Sequence, residues 1–199
     1  MKRFFDLTLA LVAMLFLLLP IIMVAVLVKL TSKGPTLYWS DRVGRYNTIF
    51  KMPKFRSMEV DSPLVATHLL EDPQSLLTPI GNFLRKSSLD ELPQLYSILM
   101  GHMSFVGPRP ALFNQDDLIE LRTRAGVHVL TPGLTGWAQV NGRNAISWKK
   151  KFELDVWYVE NQSFALDIKV LFLTLQKVVQ RKGITSTTSV TVEPFNGEN

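Results

Sequence analysis

Residues 7–28, LTLALVAMLFLLLPIIMVAVLV, are 22 consecutive positions without a charge, and this run constrains the chain more than any other feature. As a straight helix it would measure about 33 Å at 1.5 Å per residue, enough to cross the hydrocarbon core of a bilayer. It is longer than the apolar core of a secretory signal, and no small-residue cleavage pattern follows it. Pro20 lies past its midpoint, where it removes one backbone donor and crowds the carbonyl of Phe16. Two arrangements remain open: a spanning helix that tolerates the proline, and a re-entrant helix that enters one leaflet, breaks at Pro20 and returns. Lys2 and Arg3 flank one end and Lys29 and Lys33 the other, so a charge-asymmetry rule assigns no direction.

The basic residues gather beside this run. Residues 1–56 carry 9 basic and 2 acidic side chains, whereas residues 57–199 carry 13 and 15, so the overall charge of +5 resides in the N-terminal quarter. Basic side chains around an apolar segment fit anionic lipid headgroups rather than nucleic acid, and no nucleic-acid motif accompanies them. With 47% hydrophobic and 20% charged residues the chain is not disordered, and 199 residues allow one modest domain. Cysteine is absent and there are three scattered histidines, which excludes a disulfide framework and a thiolate metal site and disfavours a multi-histidine zinc site.

Beyond the break at Ser32–Pro35, β-like pieces at Leu37–Trp39 and Thr48–Met52 flank a turn around Gly44–Asn47. Residues 59–79 read as loop. Helices are expected near 79–86, after Asp90, over Gln115–Ala125 with Gly126 as its stop, and over Trp148–Glu160. Thr131–Asn144 is rich in glycine and turn residues and is expected to be irregular. Phe164–Lys182, ended by Gly183, is amphipathic, with Leu166, Val170, Leu173 and Val178 on an apolar face suited to the core or to a membrane interface.

The block TPIGNFLRKSSLDELPQLYSILMGHMSFVGPRP at residues 78–110 holds the adjacent carboxylates Asp90 and Glu91. Two readings share one geometry. Asp90 can cap a helix whose third position is Pro93, where no intrahelical donor is needed. Alternatively, a carboxylate at such a turn can attack phosphorus and form an acyl phosphate, provided that cations offset the repulsion from a diphosphate. Candidate cations are Lys54 and Arg56 in KFRSM, Arg85, Arg109 in GPRP, and Arg143 in NGRN.

KRFFD with its proline-broken apolar segment, KFRSM, SLDELPQL, GHMSFVGPRP and PGLTGWAQVNGRNAISWKKKFELDVWYVEN occur in order over nearly the whole chain. In these motifs the chain resembles the small monotopic phosphoglycosyl transferases of the bacterial sugar transferase family, of the PglC type. The resemblance implies an α/β fold, mostly α with a small β element. It divides the chain into a re-entrant anchor at residues 1–33 broken at Pro20, a catalytic domain with amphipathic interfacial helices at 34–183, and a polar tail at 184–199. It implies placement on the cytoplasmic face of the bacterial inner membrane.

The implied reaction moves a sugar-1-phosphate from a UDP-sugar to undecaprenyl phosphate and releases UMP, as the first membrane step of glycan or glycoprotein assembly. Asp90 would be the nucleophile and a ligand of Mg²⁺, and Glu91 would handle protons or orient groups. Lys54, Arg56, Arg85, Arg109, Asn141 and Arg143 would contact phosphate or nucleotide. The C-terminal region, ending PFNGEN, is similar to that of the small enzymes of protein-glycosylation pathways, which implies an N-acetylated amino sugar such as diacetylbacillosamine as the donor sugar. Partners would extend to a second copy or to pathway glycosyltransferases. His102 stands where the family has Asp, Ser40 where Gln is common, and Pro53 where an aromatic or aliphatic residue is common. On His102 and Pro53 rests the alternative of a catalytically silent membrane scaffold of the same fold.

Overall fold

The structure is a computed structural model that describes residues 1–63, 72, 74–142 and 146–180. It is mostly helical. Helix α1 (Lys2–Thr31) leads to the antiparallel hairpin β1 (Leu37–Val43) and β2 (Ile49–Phe55), whose register pairs Tyr38 with Lys54 and Arg42 with Phe50. Then follow α2 (Gly81–Ser87), α3 (Gln94–Met100), β3 (Ser104–Val106), α4 (Asp116–Arg124), β4 (Gly133–Thr135), α5 (Trp137–Val140), α6 (Trp148–Asn161) and α7 (Phe164–Gln180). Strands β3 and β4 form a second, parallel pair.

Helix α1 is continuous through Pro20, which corrects the expected helix–break–helix: the backbone stays helical on both sides of the proline. At 30 residues it is about 45 Å long. One stripe of it, Asp6, Ala10, Val24 and Val28, is buried against the domain, and Leu17 and Ile21 pack between these across the proline. The opposite face is bare. Leu11, Leu15, Phe16, Leu19, Ile22 and Leu30 are all exposed, and only 11% of the most apolar stretch is buried. A face this apolar is stable against lipid rather than water, so the chain is a membrane-associated protein.

The charged residues before the apolar run clamp α1 to the domain. Lys2 Nζ bonds Asp167 Oδ2 at 2.5 Å, and the Tyr158 hydroxyl donates to the other oxygen of Asp167. Arg3 donates to the carbonyls of Ile98 and Leu99, which supplies acceptors' partners at the C-terminal end of α3. Asp6 is 4% exposed and accepts from the Phe105 amide at 3.1 Å.

The core lies between α1, α3, β2 and α7. Phe50 and Met52 from the inner face of β2 meet Leu95, Ile98, Tyr158 and Val170. The β3–β4 pair is built by glycine. A Cβ on Gly133 would lie 2.1 Å from the Gly107 nitrogen, and one on Gly136 would lie 2.1 Å from the Gly107 oxygen. The stretch expected to be irregular therefore contains a strand and a short helix; glycines that signal turns here serve close backbone approach.

Other elements follow the sequence more closely. Gly126, at φ +74, stops α4 as expected, and Glu120 pairs with Arg124 within it. Ser147 caps α6 by accepting from the Lys150 amide. In α7, Leu166, Val170 and Leu173 face the core, whereas Val178 is exposed with Ile168, Phe172 and Leu175. That helix thus has two apolar faces, one against the domain and one outward. Gly183 and the tail at 184–199 lie outside the described residues.

Candidate active site

The chain reverses at Ser88 to build the site. Helix α2 ends at Ser87, and Ser88 takes the left-handed conformation with φ +58, uncommon for a residue with a side chain. A single 3-10 turn, Leu89–Glu91, follows, and Pro93 then leads into α3. Asp90 is therefore inside a tight turn and makes no cap hydrogen bond, which corrects the helix-cap reading. The turn directs Asp90 inward: it is 8% exposed and lines a cavity of about 290 Å³.

Strand ends form the facing wall. Lys54 and Arg56 at the end of β2 line the cavity, with Tyr38, Ser40 and Arg42 of β1, and Arg85 of α2 closes another side. In β1 the period-two alternation places Tyr38, Ser40 and Arg42 on the face shared, across the ladder, by Lys54, Met52 and Phe50. Trp39 and Phe113 add aromatic surface, each about half exposed.

Glu91 is not part of the lining. Its Oε1 receives Lys54 Nζ and Arg109 Nη2, each at 2.9 Å. Burial by itself would raise its carboxyl, but the two cations and their hydrogen bonds hold it well below the usual carboxylate range. Asp90 behaves oppositely. Burial pushes its carboxyl above the ordinary value and the Glu91 charge adds to this, partly offset by Lys54, Arg85 and Arg109. Burial lowers Lys54, with Glu91 opposing, and the Glu91 charge raises Arg109. The neighbouring carboxylates thus differ in kind: one is locked in its charged form by ion pairs, the other is buried and faces an open space.

Arg109 is anchored from behind. Its carbonyl accepts from Arg122 Nη1 at 2.8 Å, and Arg122 Nη2 pairs with the buried Asp155 at 2.6 Å. Arg109 borders a second, smaller hollow of about 30 Å³ instead of the main cavity.

Of the residues singled out in the sequence, Asp90, Lys54, Arg56 and Arg85 are brought together at the cavity, and Glu91 and Arg109 stand directly behind. Asn141 is not brought in. It is exposed, and its amide donates to the Trp137 carbonyl, closing the end of α5. Arg143 lies outside the described residues. His102 is exposed and leans on the Phe50 ring, with centroids 5.6 Å apart; it does not line the cavity. Ser40 is buried and accepts from Arg42 Nε at 3.0 Å, and Pro53 is fully buried in β2. Arg42 is not among the sequence candidates, because the first β-like piece there ends at Trp39; the strand runs on to Val43 and carries Arg42 to the cavity.

Among the described residues no three His, Asp or Glu side chains cluster as a metal site. Asp90 is the candidate ligand, since a magnesium ion beside phosphates takes one or two carboxylates and completes its shell with phosphate oxygens and water.

The family described as bacterial sugar transferase matches residues 1–181. An uncharacterized sugar transferase, EpsL, of Bacillus subtilis is 46% identical, over 99% of this chain and 96% of that protein. The UDP-galactose-lipid carrier transferase of Erwinia amylovora is 39% identical over 92% of this chain and 41% of its own length. The UDP-glucose:undecaprenyl-phosphate glucose-1-phosphate transferase of Escherichia coli is also 39% identical, over 89% of this chain and 40% of its own length. The chain spans about two fifths of these last two relatives. It is an enzyme of the phosphoglycosyl transferase class, and it belongs to the bacterial sugar transferase family.

Proposed function

We propose that the protein transfers a sugar-1-phosphate from a UDP-sugar to undecaprenyl phosphate, forming undecaprenyl-diphosphate-sugar and UMP. The observation that carries this reading is a buried carboxylate, Asp90, in the wall of a cavity lined by Lys54, Arg42, Arg56 and Arg85. Four cations around one open carboxylate suit a diphosphate substrate and a carboxylate nucleophile.

In the first step an Asp90 oxygen bonds to the β-phosphorus, and the bond from that phosphorus to the bridging oxygen breaks. UMP leaves with the electron pair, and the phosphosugar stays on Asp90 as an acyl phosphate. In the second step an oxygen of the lipid phosphate attacks the same phosphorus, and the Asp90–phosphorus bond breaks. Neither half needs a proton from Glu91. That side chain is held ionised between Lys54 and Arg109, so its role here is to fix both cations beside the reacting phosphate. Bound through Asp90, Mg²⁺ would supply charge neutralisation on the phosphate oxygens.

In this reading the protein lies on the cytoplasmic face, where UDP-sugars are, with α1 as its membrane anchor and the outward face of α7 at the same interface. One substrate is soluble and the other is a lipid, and the bare apolar faces of α1 and α7 support a position at that boundary. The donor in this reading is an N-acetylated amino sugar, on the resemblance of the C-terminal PFNGEN region to enzymes of that kind.

The test uses the full chain in nanodiscs with undecaprenyl phosphate, Mg²⁺ and a panel of UDP-sugars. UMP release that requires lipid, metal and Asp90, with a phosphosugar adduct on intact mass, is the expected result. Retained UMP release in a folded Asp90→Asn variant would remove Asp90 from the reaction. Silence of the folded wild type across the panel would favour the scaffold reading.

A further inference from the structure

Arg42 differs from the ion-paired cations of the site. Lys54 and Arg109 are both paired to Glu91, whereas Arg56, like Arg42, has a neutral partner, the Pro35 carbonyl, in a contact that is exposed to solvent. Arg42 has only neutral partners: Nε donates to Ser40 Oγ at 3.0 Å and Nη1 to the Pro110 carbonyl at 3.3 Å. Among the described residues no carboxylate stands within ion-pair distance of it. A guanidinium carries five donor hydrogens, so most of its fork remains without a partner. Burial, with Arg109 nearby, lowers it to about 10, with weaker opposition from Tyr38 and Glu91.

A part-buried cation without a counter-charge costs stability, and proteins keep such groups mainly where a ligand supplies the charge. The two neutral contacts fix the fork rather than neutralise it. Ser40 holds it from its own strand, and Pro110 from the segment that also carries Arg109.

We propose that Arg42 binds the phosphate groups of the substrate in the cavity, and that the substrate is the counter-ion the protein omits. This rests on the reaction proposed above and adds to it one further binding residue. A forked guanidinium takes two phosphate oxygens at once, so Lys is a poor replacement.

The test compares full-length wild type, Arg42→Gln and Arg42→Lys, using inorganic pyrophosphate as the probe and thermal melting as the readout, beside UMP-release kinetics. Pyrophosphate is expected to raise the wild-type melting temperature. Arg42→Gln should melt, without pyrophosphate, at the wild-type temperature or above it, because an uncompensated charge is removed. Its pyrophosphate affinity should fall roughly 10- to 100-fold, as for loss of a charge-assisted hydrogen bond. The KM for UDP-sugar should rise by a similar factor, and Arg42→Lys should fall between.

Unchanged pyrophosphate affinity in Arg42→Gln would overturn the proposal, as would the absence of any pyrophosphate effect on the wild type. A loss of melting temperature that parallels the loss of affinity would also overturn it, by making Arg42 a structural tie between β1 and Pro110. Should Arg42→Gln not fold, Arg42→Lys decides: weakened pyrophosphate binding at an unchanged melting temperature supports the proposal, and unchanged binding overturns it. Pyrophosphate binding that depends on Arg42 in a wild type that releases no UMP would leave the anion site standing and remove the reaction.

Discussion

Replacing Glu91 by Gln tests the electrostatic frame of the site. Both Lys54 and Arg109 lie 2.9 Å from the same oxygen, and the side chains of Lys54 and Glu91 are only 16% and 19% exposed. Removing one partner of a buried pair costs about 3–5 kcal/mol, because the other charge is left uncompensated. The Arg109 arm is half exposed and is screened by water, so it adds little. Gln also keeps one carbonyl acceptor. The net expectation is about 3 kcal/mol, or a melting temperature lowered by roughly 6–12 °C for a chain of this size.

The pH dependence has a definite sign. Glu91 in the fold titrates below its ordinary value of 4.5, so its contribution is complete above that value and is lost as pH falls below it. The gap between wild type and Glu91→Gln should therefore be constant from pH 7 to about 5. It should narrow by up to about 1.4 kcal/mol for each further unit of acidification. Melting followed by near-ultraviolet circular dichroism in detergent, from pH 7 to about 3, reads this directly. A variant that melts within about 2 °C of wild type at pH 7, or a gap that does not close in acid, would refute the claim that Glu91 is the counter-ion of Lys54.

Three further outcomes are expected. Asp90 titrates above its ordinary value of 3.8 when the cavity is free, so kcat/KM for UDP-sugar should fall with acidification at a pH above that value, and an acid limb at or below it would contradict the burial argument. Asp6→Ala leaves the buried Phe105 amide without its acceptor and should cost about 1–3 kcal/mol, seen as lower melting temperature and faster amide exchange at Phe105; unchanged exchange would show that the contact does not hold α1 to the domain. Gly133→Ala places a Cβ 2.1 Å from the Gly107 nitrogen and should prevent β3–β4 pairing, so that a folded, active variant would show the crossing to be looser than described.

Local pattern settled several parts of this protein before any fold was considered. An uninterrupted apolar run can only be a lipid-facing or buried helix. Ser147 before Trp148 and Gly126 after α4 act through nearest-neighbour backbone geometry, which a sequence carries in full. The adjacent carboxylates and the basic motifs pointed to phosphate chemistry through residue type alone.

Tertiary structure decided what those residues touch. Asp90 and Glu91 are neighbours in the chain, yet one faces the cavity and the other faces Lys54 and Arg109, from segments 37 and 18 residues away. Whether Pro20 breaks α1 also depended on packing, since contacts on both sides of the proline hold the helix against the domain. Asn141 and His102 lie in motifs but not at the cavity. Arg42 drew no attention in the sequence, because a lone arginine gives no sign of its counter-ion. Ion pairing, burial and cavity walls are set by groups distant in sequence, and their energies exist only once the chain has folded.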